Sequence, residues 1–224
     1  MPTSRAIAAI LLLVGLMLGQ ERVSFSTEDG GVIQGIVYGK GERGVVLAHG
    51  GRFLKESWEK QGRALSQAGF RSLAIDFRGE GHSQGGQQAI PIEEGRRLDV
   101  LAAVRYLRTT GATSVSVVGA SMGGDYAAAA AETEPQAIDR LVLLAAGAYT
   151  PLVRMKGRKL FIMSRDDVIG DNKPRLPKIR EQYERATNPK EFVILEGSAH
   201  AQFIFSTDQG ERLIREIVRF LALP

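Results

Sequence analysis

The sequence contains no cysteine. Disulfides, thiolate metal sites, iron–sulfur clusters and a cysteine nucleophile are therefore excluded. Histidine is almost as scarce, because only His49, His82 and His200 are present. They lie on three separate segments, without the His-x-x-x-His spacing of a helical zinc site, which argues against a metal hydrolase. Any reaction that needs an imidazole must use one of these three side chains.

Long runs of like charge and clusters of aromatic residues are also missing. The chain has one tryptophan and a net charge of +4 at pH 7, whereas a nucleic-acid-binding surface usually concentrates basic residues in a patch. We therefore expect no nucleic-acid partner. With 44% hydrophobic residues among 224, disorder is excluded and one domain with a full core is predicted. The composition leaves the oligomeric state open.

One hydrophobic run, near the start of the chain, has the character of a targeting segment. Arg5 precedes an uncharged apolar stretch at residues 6–18, which is shorter than the about 20 residues that cross a bilayer. Residues 1–20 are therefore predicted to be a signal peptide or, alternatively, an uncleaved N-terminal anchor. Both interpretations place residues 21–224, predicted as a single domain, outside the cytoplasmic membrane, as a periplasmic or secreted protein. Membrane contact is expected only through an uncleaved anchor.

The rest of the chain alternates short apolar runs with amphipathic stretches. Two runs, at residues 23–27 and 32–38, flank an Asp-Gly turn, which predicts an antiparallel hairpin. The following runs are rich in Val, Ile and Leu and are predicted as strands at 45–48, 72–75, 115–118, 141–145, 160–163 and 192–195. Helical patterns separate them at 57–68, 92–108, 122–132, 178–186 and 208–221. This alternation predicts an α/β fold with about eight strands in a mostly parallel sheet and helices on both faces.

Functional residues of such sheets follow the carboxyl ends of the strands. One such position carries the sequence Gly-Ala-Ser-Met-Gly at residues 119–123, between a predicted strand and an alanine-rich predicted helix. Glycines that flank a serine allow a sharp strand-to-helix turn that lifts the hydroxyl above the sheet. The helix N-terminus directs its amides toward that oxygen. Ser121 is therefore the candidate nucleophile, and the alternative is a tight turn with a serine at the helix N-cap.

A serine nucleophile needs a base, and the base needs a carboxylate to orient it. His200 follows the last predicted strand and is the candidate base. Two adjacent carboxylates, Asp166 and Asp167, follow the strand at 160–163. Asp167 is preferred because it stands fourth past the strand, and Asp166 is the alternative.

The oxyanion that forms on attack needs hydrogen-bond donors that are already in place. The backbone N–H of Met122, directly after Ser121, is one candidate. The other comes from the glycine turn after the strand at 45–48, with Gly51 N–H preferred and Arg52 N–H as the alternative. These two amides complete a predicted site that acts on a small acyl substrate without a metal or organic cofactor. His49 and Asp76, which follow two other strands, are expected to brace their loops.

These motifs resemble those of the α/β-hydrolase superfamily. The similarity includes His-Gly-Gly at 49–51, Asp-Phe-Arg-Gly-Glu-Gly-His-Ser at 76–83 and the chain order serine, aspartate, histidine. Glu80 departs from the pattern, because a histidine usually stands there. Many relatives insert a helical cap before the strand at 160–163, but residues 147–159 are too few to form one. The resemblance implies an uncapped serine hydrolase, similar to dienelactone-hydrolase-like proteins and small esterases, that cleaves carboxylic esters.

Two alternatives stand beside a carboxylesterase. One is a hydrolase of another acyl bond, a lactone, thioester or peptide, that prefers anionic substrates because of a basic rim formed by Arg52, as a substrate-binding residue, with Arg154, Lys156 and Arg158. The other is a non-catalytic binding protein with this fold, although no member of the triad is missing. A dinucleotide-dependent oxidoreductase is disfavoured, because no G-x-G-x-x-G motif occupies the first strand-to-helix turn.

Overall fold

The structure, a computed structural model, describes residues 20–86, 90–147, 149–170 and 172–224. Ten strands lie in these ranges: β1 (Gln20–Ser26), β2 (Val32–Tyr38), β3 (Arg43–Ala48), β4 (Phe70–Ile75), β5 (Ser114–Ala120), β6 (Arg140–Leu144), β7 (Arg158–Ser164), β8 (Val168–Ile169), β9 (Lys173–Pro174) and β10 (Lys190–Leu195). Eight of them form the central sheet, in the order β1-β2-β4-β3-β5-β6-β7-β10. The other two, β8 and β9, form a separate hairpin.

β2 is antiparallel to both of its neighbours, β1 and β4, and all later neighbours in the sheet are parallel. β1 pairs with β2 from Gln20 opposite Tyr38 to Ser26 opposite Val32, and β2 pairs with β4. The parallel strands have both faces covered, so residues such as Val45 and Val46 have no exposed surface, which explains their continuous apolar runs. The predicted α/β fold, with an eight-stranded, mostly parallel sheet and an N-terminal hairpin, is confirmed.

Helices pack on both faces of the sheet. They are α1 (Glu59–Gln67), α2 (Ile92–Thr109), α3 (Met122–Thr133), α4 (Leu176–Arg185) and α5 (Gly210–Ala222), with two 3-10 helices at Lys55–Trp58 and Ala201–Ser206. Gly62 of α1 lies against the ring of Tyr38. On the opposite face, Gly44 of β3 lies against Leu107 of α2. Glycine at both contacts lets the helix and the strand approach closely.

Three details refine the predicted architecture. The predicted helix at 57–68 is a 3-10 turn followed by α1. Between β6 and β7 the described residues form no helix, so the prediction that no cap domain covers the sheet is confirmed. The β8–β9 hairpin is not predicted from the sequence, because two-residue strands are too short to show an alternating pattern.

The predicted export segment, residues 1–20, lies outside the described residues except for Gln20, the first residue of β1. Export, and the domain boundary at residue 21, therefore stay predictions. Across the ranges that the structure describes, no helix is both long and apolar enough to cross a membrane.

Candidate active site

Ser121 occupies a tight turn between β5 and α3. Its backbone has φ 47° and ψ −120°, a conformation that residues other than glycine rarely adopt. The Ser121 N–H donates to Leu144 O at 2.9 Å, which ties the turn to β6. A Cβ at Gly123 would lie 2.5 Å from the carbonyl oxygens of Ala48 and His49, so only glycine fits there. The turn therefore holds the hydroxyl at the carboxyl edge of the sheet.

The structure brings Ser121, His200 and Asp167 into one hydrogen-bonded line. His200 Nε2 lies 2.8 Å from Ser121 Oγ, and His200 Nδ1 lies 2.7 Å from Asp167 Oδ2. With its proton on Nδ1, the imidazole donates to Asp167 and accepts from the serine hydroxyl. Asp167 has 1% of its side chain exposed, whereas His200 has 27% exposed. The imidazole is thus open to a substrate while its carboxylate partner is shielded from water.

The two adjacent aspartates after β7 lie in different environments. Asp166 is exposed to solvent, and Asp167 is the one that reaches His200. Ser164 Oγ, at the end of β7, donates to Ala199 O at 2.7 Å and so fixes the loop of His200 against this strand. The structure therefore places the preferred aspartate, and not the alternative, against the imidazole.

The backbone amides of Gly51 and Met122 belong to residues that line one cavity with Ser121 and His200. Across the described residues, neither amide donates a hydrogen bond to a protein acceptor. Gly51 is exposed and Met122 is partly buried, so both amides can reach a bound substrate, and two free donors beside a hydroxyl suit a developing oxyanion. The N–H of Arg52 is equally free of a protein acceptor in this part of the chain, so the choice between Gly51 and Arg52 stays open.

Gln202, which the sequence analysis does not single out, fixes the loop that carries Gly51. The N–H of Gly50 donates to Gln202 Oε1 at 2.7 Å, and Gln202 Nε2 donates to Ser57 Oγ at 2.8 Å. The Gln202 side chain is buried. Because the two partners of the first bond are 152 residues apart, no local pattern predicts it. The position of Gln202 two residues past His200 is the single signal in the sequence.

A buried ion pair also supports this loop. The backbone N–H and the Nζ of Lys55 donate to the Asp76 carboxylate at 2.7 and 2.6 Å, respectively, and Asp76 has no exposed surface. His49 is buried as well, and its Nδ1 lies 2.9 Å from the carbonyl oxygen of Gly50. Burial lowers the pKa of His49, which favours a neutral imidazole that donates to this oxygen. These contacts suit the bracing roles predicted for Asp76 and His49.

Two cavities meet at Ser121, and Ser121 and Met122 line both. The smaller, of about 450 Å³, also contains His200 and is called the His200 cavity; further wall residues are Gly51, Arg52, Phe53, Val168 and Phe203. The larger, of about 550 Å³, is called the Tyr126 cavity; its walls include Glu93, Glu94, Arg97, Tyr126, Tyr149 and Arg175. A substrate bound at Ser121 can therefore extend in two directions.

The predicted basic rim is wrong in three of its four residues. Arg52 is exposed and lines the His200 cavity. Arg158 instead begins β7 at its amino end, whereas the site lies at the carboxyl ends. The backbone N–H of Arg154 donates to Glu132, near the end of α3. Neither cavity is lined by any of the remaining rim residues, Arg154, Lys156 and Arg158.

Two other arginines stand near the proposed site instead. Arg175 Nε lies 3.6 Å from Asp167 Oδ1, the carboxylate oxygen that His200 does not use. Arg96 Nη2 donates to Glu80 at 3.2 Å, and Arg96 Nη1 lies 3.1 Å from Met122 Sδ. Glu80, the departure from the superfamily pattern, therefore reaches Met122 through Arg96. Within the described ranges, no group of three or more His, Asp or Glu side chains is arranged to hold a metal ion.

Comparisons with known proteins agree on the fold. The sequence model of the alpha/beta hydrolase fold matches residues 44–176. An esterase of Pyrococcus furiosus superposes with a TM-score of 0.72 at 20% identity, over 92% of this chain and 94% of that chain. A dienelactone hydrolase of Anabaena variabilis superposes with a TM-score of 0.73 at 20% identity, over 90% and 96% of the two chains. At this level of identity the likeness shows the fold alone.

Curated relatives match shorter segments. Human ABHD14B, named as a candidate protein-lysine deacylase, is 43% identical over 68 residues, which are 30% of this chain and 32% of that protein. Human ABHD14A is 39% identical over 85 residues, 37% of this chain and 30% of that protein. The chain thus spans about a third of the length of these relatives. The family match is broader, because it covers more than half of the chain, and the chain therefore belongs to the alpha/beta hydrolase family.

Proposed function

We propose that this protein is a serine hydrolase that cleaves a carboxylic ester through an acyl-enzyme on Ser121. The observation that carries the proposal is the line of two hydrogen bonds, 2.8 Å from Ser121 Oγ to His200 Nε2 and 2.7 Å from His200 Nδ1 to Asp167 Oδ2. A hydroxyl, an imidazole and a buried carboxylate in this order are the groups that acyl transfer requires. Membership of the alpha/beta hydrolase family supports the same conclusion.

In the first half-reaction, Ser121 Oγ attacks the carbonyl carbon while its proton passes to His200 Nε2. The carbonyl oxygen becomes negative and accepts hydrogen bonds from the amides of Gly51 and Met122. Asp167 stabilises the imidazolium and holds the Nδ1 proton. The bond from the acyl carbon to the leaving oxygen then breaks, this oxygen takes the proton from His200, and an alcohol departs.

In the second half-reaction, water attacks the acyl-enzyme. His200 accepts a proton from the water and returns it to Ser121 Oγ as the acyl bond breaks. The products are a carboxylic acid and an alcohol, and water is the only co-reactant. The exposed part of the His200 side chain, 27% of its surface, gives this water access to the imidazole.

The test is replacement of Ser121 by Ala, with p-nitrophenyl acetate as the substrate. We expect kcat to fall by about 10⁴- to 10⁶-fold, because the covalent pathway is removed. Ser198, an exposed serine in the loop of His200, provides the matched control, and Ser198→Ala should keep the wild-type rate. A fluorophosphonate should label the wild-type protein at Ser121. Undiminished turnover in Ser121→Ala, or labelling of another residue, would remove Ser121 from the mechanism.

A second candidate is hydrolysis of a different acyl bond by the same residues. The naming of ABHD14B favours the amide of an acylated lysine, and Arg52 at the mouth of the His200 cavity favours an anionic lactone, thioester or peptide. Every one of these reactions passes through an acyl-enzyme, so Ser121→Ala does not separate them. Measurement of kcat/KM for one acetyl group on an ester, a thioester and an Nε-acetyl-lysine peptide does. If kcat/KM for the amide or the thioester exceeds kcat/KM for the ester, the carboxylesterase assignment would be wrong.

A further inference from the structure

Acyl transfer at Ser121 places the two parts of a substrate on different sides of the nucleophile. His200 gives its proton to the leaving oxygen, so the leaving group must lie on the side of His200. His200 lines the His200 cavity and not the Tyr126 cavity. We propose that the His200 cavity binds the leaving group and selects an aryl group that carries a negative charge. This inference rests on the proposed function, and it assigns the acyl group to the Tyr126 cavity.

One wall of the His200 cavity is apolar and open to solvent. The ring centroids of Phe53 and Phe203 lie 5.0 Å apart with the planes at 56°, and 47% of Phe203 and 43% of Val168 are exposed. A ligand that covers this apolar surface gains about 25 cal/mol of binding free energy per Å². The rings of Phe53 and Phe203 can also contact a third ring in an edge-to-face or offset-stacked arrangement. A flat aromatic leaving group therefore fits this wall better than a short alkyl group.

Among the described residues, Arg52 is the permanently charged side chain that lines the His200 cavity. Arg52 is exposed there, and the cavity has no acidic residue among the described residues of its wall. In the part of the chain that the structure describes, the Arg52 guanidinium has no ion-pair partner. The Tyr126 cavity differs, because Glu93, Glu94, Arg97 and Arg175 give it both signs. An unpaired guanidinium is a good donor to a carboxylate, which it binds through two parallel hydrogen bonds.

The chemistry of the step agrees with this placement. The bond from the acyl carbon to the aryl oxygen breaks, its electron pair stays on that oxygen, and the proton of His200 Nε2 converts the aryl oxide into a phenol. The acyl group stays on Ser121. The phenol then leaves through the open His200 cavity, and water enters by the same route for the second half-reaction.

Matched acetate esters test the proposal with the full chain. The acetates of 4-hydroxybenzoate, 4-hydroxybenzamide and methanol share one acyl group and differ in the leaving group. Division of each kcat/KM by the hydroxide-catalysed rate constant of the same ester corrects for intrinsic reactivity. At low salt the corrected kcat/KM of the carboxylate ester is expected to exceed that of the amide-bearing ester by at least about fivefold. This advantage should decline at about 1 M salt, where the screening length is about 3 Å.

Variants assign the effect to residues. Arg52→Gln is expected to lower the preference for the carboxylate ester by at least about threefold. Arg154→Gln changes an exposed arginine outside both cavities and should leave the preference unchanged. Phe203→Ala is expected to raise KM for both aryl esters by about fivefold relative to methyl acetate, because ring contacts are lost. Val153→Ala, at a valine that is 51% exposed and outside both cavities, is the apolar control.

Each negative outcome has a separate meaning. Equal corrected rates for the carboxylate and amide-bearing esters, or a preference that Arg52→Gln does not lower, would overturn the anion site. Equal KM changes for aryl and methyl esters in Phe203→Ala would overturn the aryl wall. Both failures leave the proposed function intact where Ser121 is labelled and the esters are hydrolysed. Absence of turnover for every ester, with no label on Ser121, would overturn the proposed function and this inference together.

Discussion

Two groups of polar and charged residues lie near the carboxyl edge of the sheet, and they use their hydrogen-bonding atoms in opposite ways. The first, called the arginine cluster, consists of Arg78, which follows β4, together with Asp29 and Asp99. These residues are buried, and each side-chain nitrogen of Arg78 donates to a carboxylate. The second group is the proposed triad with its neighbouring amides, where several polar atoms make no hydrogen bond within the described residues. The contrast separates what a buried charge does for stability from what it does for chemistry.

The arginine cluster is fully paired. Arg78 Nε donates to Asp99 at 2.8 Å, and its two terminal nitrogens donate to Asp29 at 2.7 and 3.0 Å. The hydrogen bonds from Arg78 lower the pKa of Asp29 to about 2, whereas burial raises the pKa of Asp99 to about 6. A Cβ at Gly95 of α2 would lie 2.5 Å from Arg78 Cζ. The cluster thus joins the β1–β2 turn, the loop after β4 and α2, and each side-chain nitrogen of its arginine is bound to a carboxylate.

The proposed triad keeps atoms free. Asp167 Oδ1 is buried without a hydrogen bond in the described part of the chain, and the amides of Gly51 and Met122 donate to no protein acceptor there. A buried oxygen without a hydrogen bond, such as Asp167 Oδ1, costs about 1–3 kcal/mol, whereas the amide of the exposed Gly51 remains available to a substrate. We therefore expect substitutions to divide: changes at the triad should reduce turnover with little effect on stability, and changes in the arginine cluster should do the reverse.

Among the variants that compare the two groups, the largest effect is expected for Asp167→Asn. The amide cannot stabilise the imidazolium and favours the wrong tautomer of His200, so kcat should fall by about 10³- to 10⁴-fold. The thermal midpoint should stay close to that of the wild type, because the substitution preserves side-chain size. Steady-state kinetics on p-nitrophenyl acetate and thermal unfolding measure the two quantities.

Asp166→Asn is the matched control, because Asp166 is the exposed neighbour. Its kcat should remain within about twofold of the wild-type value, as for most exposed substitutions. A larger loss in Asp166→Asn than in Asp167→Asn would reverse the assignment of the carboxylate.

The next effect concerns stability. Arg78→Met leaves two buried carboxylates without their cation, and breaking a buried pair from one side costs about 3–5 kcal/mol. Urea unfolding at pH 7 should show this loss, while kcat of the folded protein at low temperature should be close to wild type. Arg63→Met removes an exposed pair with Glu59 and should cost less than about 1 kcal/mol. Equal losses in the two variants would contradict a structural role for the arginine cluster.

Gln202→Leu should lower kcat by less than Asp167→Asn does, with little change in KM. The variant removes the acceptor of the Gly50 N–H, so the following amide is less well aimed at the oxyanion, and kcat should fall by about 10- to 100-fold. KM should change little, because the ground-state carbonyl needs this donor less than the oxyanion does. Affinity for a boronic acid that mimics the tetrahedral intermediate should fall with kcat.

Gln202→Glu keeps an oxygen acceptor for Gly50, so it should retain more activity than Gln202→Leu. A rise in KM at constant kcat in the leucine variant would assign Gln202 to substrate binding and not to the oxyanion loop.

Much of the fold and the proximity of the proposed triad could be predicted from the sequence, for a physical reason. Strands buried on both faces must be apolar along their whole length, so the runs at 45–48 and 115–118, which lie within β3 and β5, are visible in the sequence. The carboxyl ends of parallel strands share one edge, which brings Ser121, Asp167 and His200 together from distant positions. Their catalytic roles stay predictions.

The rest depends on tertiary contacts that leave no local pattern. Gln202 meets Gly50 from 152 positions away, and Arg175 precedes α4 without any motif around it. Arg158 fails as a rim residue because it is the first residue of β7, and the amino end of a parallel strand lies at the opposite edge of the sheet from its carboxyl end. The positions of charged residues along the sequence therefore give the net charge, but they do not predict the edge of the sheet at which each charged side chain lies.

The smallest effect is a dependence of stability on pH that belongs to Asp29. Its pKa is lowered to about 2 from 3.8 by Arg78, with Thr27 Oγ1 as an uncharged second donor at 2.6 Å. A carboxyl group whose pKa is lowered by folding stabilises the folded protein at pH values above its unfolded-state pKa. This stabilisation is lost as the pH falls through the folded-state pKa. Two pKa units correspond to about 2–3 kcal/mol. The free energy of unfolding of the wild type should therefore exceed that of Asp29→Asn by roughly this amount at pH 6.

The free-energy difference between wild type and Asp29→Asn should close as the pH falls from about 4 to about 2, because both Asp29 and the substituted side chain are then neutral. The pKa of Asp99 is raised to about 6, in part by the charge of Asp29, so the difference is followed below pH 4, where Asp99 of the folded wild-type protein is already protonated. Urea unfolding at half-unit pH intervals measures the closure. A difference that stays constant down to pH 2 would mean that packing, and not the charge pair with Arg78, accounts for the stability that Asp29 contributes. The arginine cluster would then differ from the proposed triad in its packing and not in the pairing of its charges.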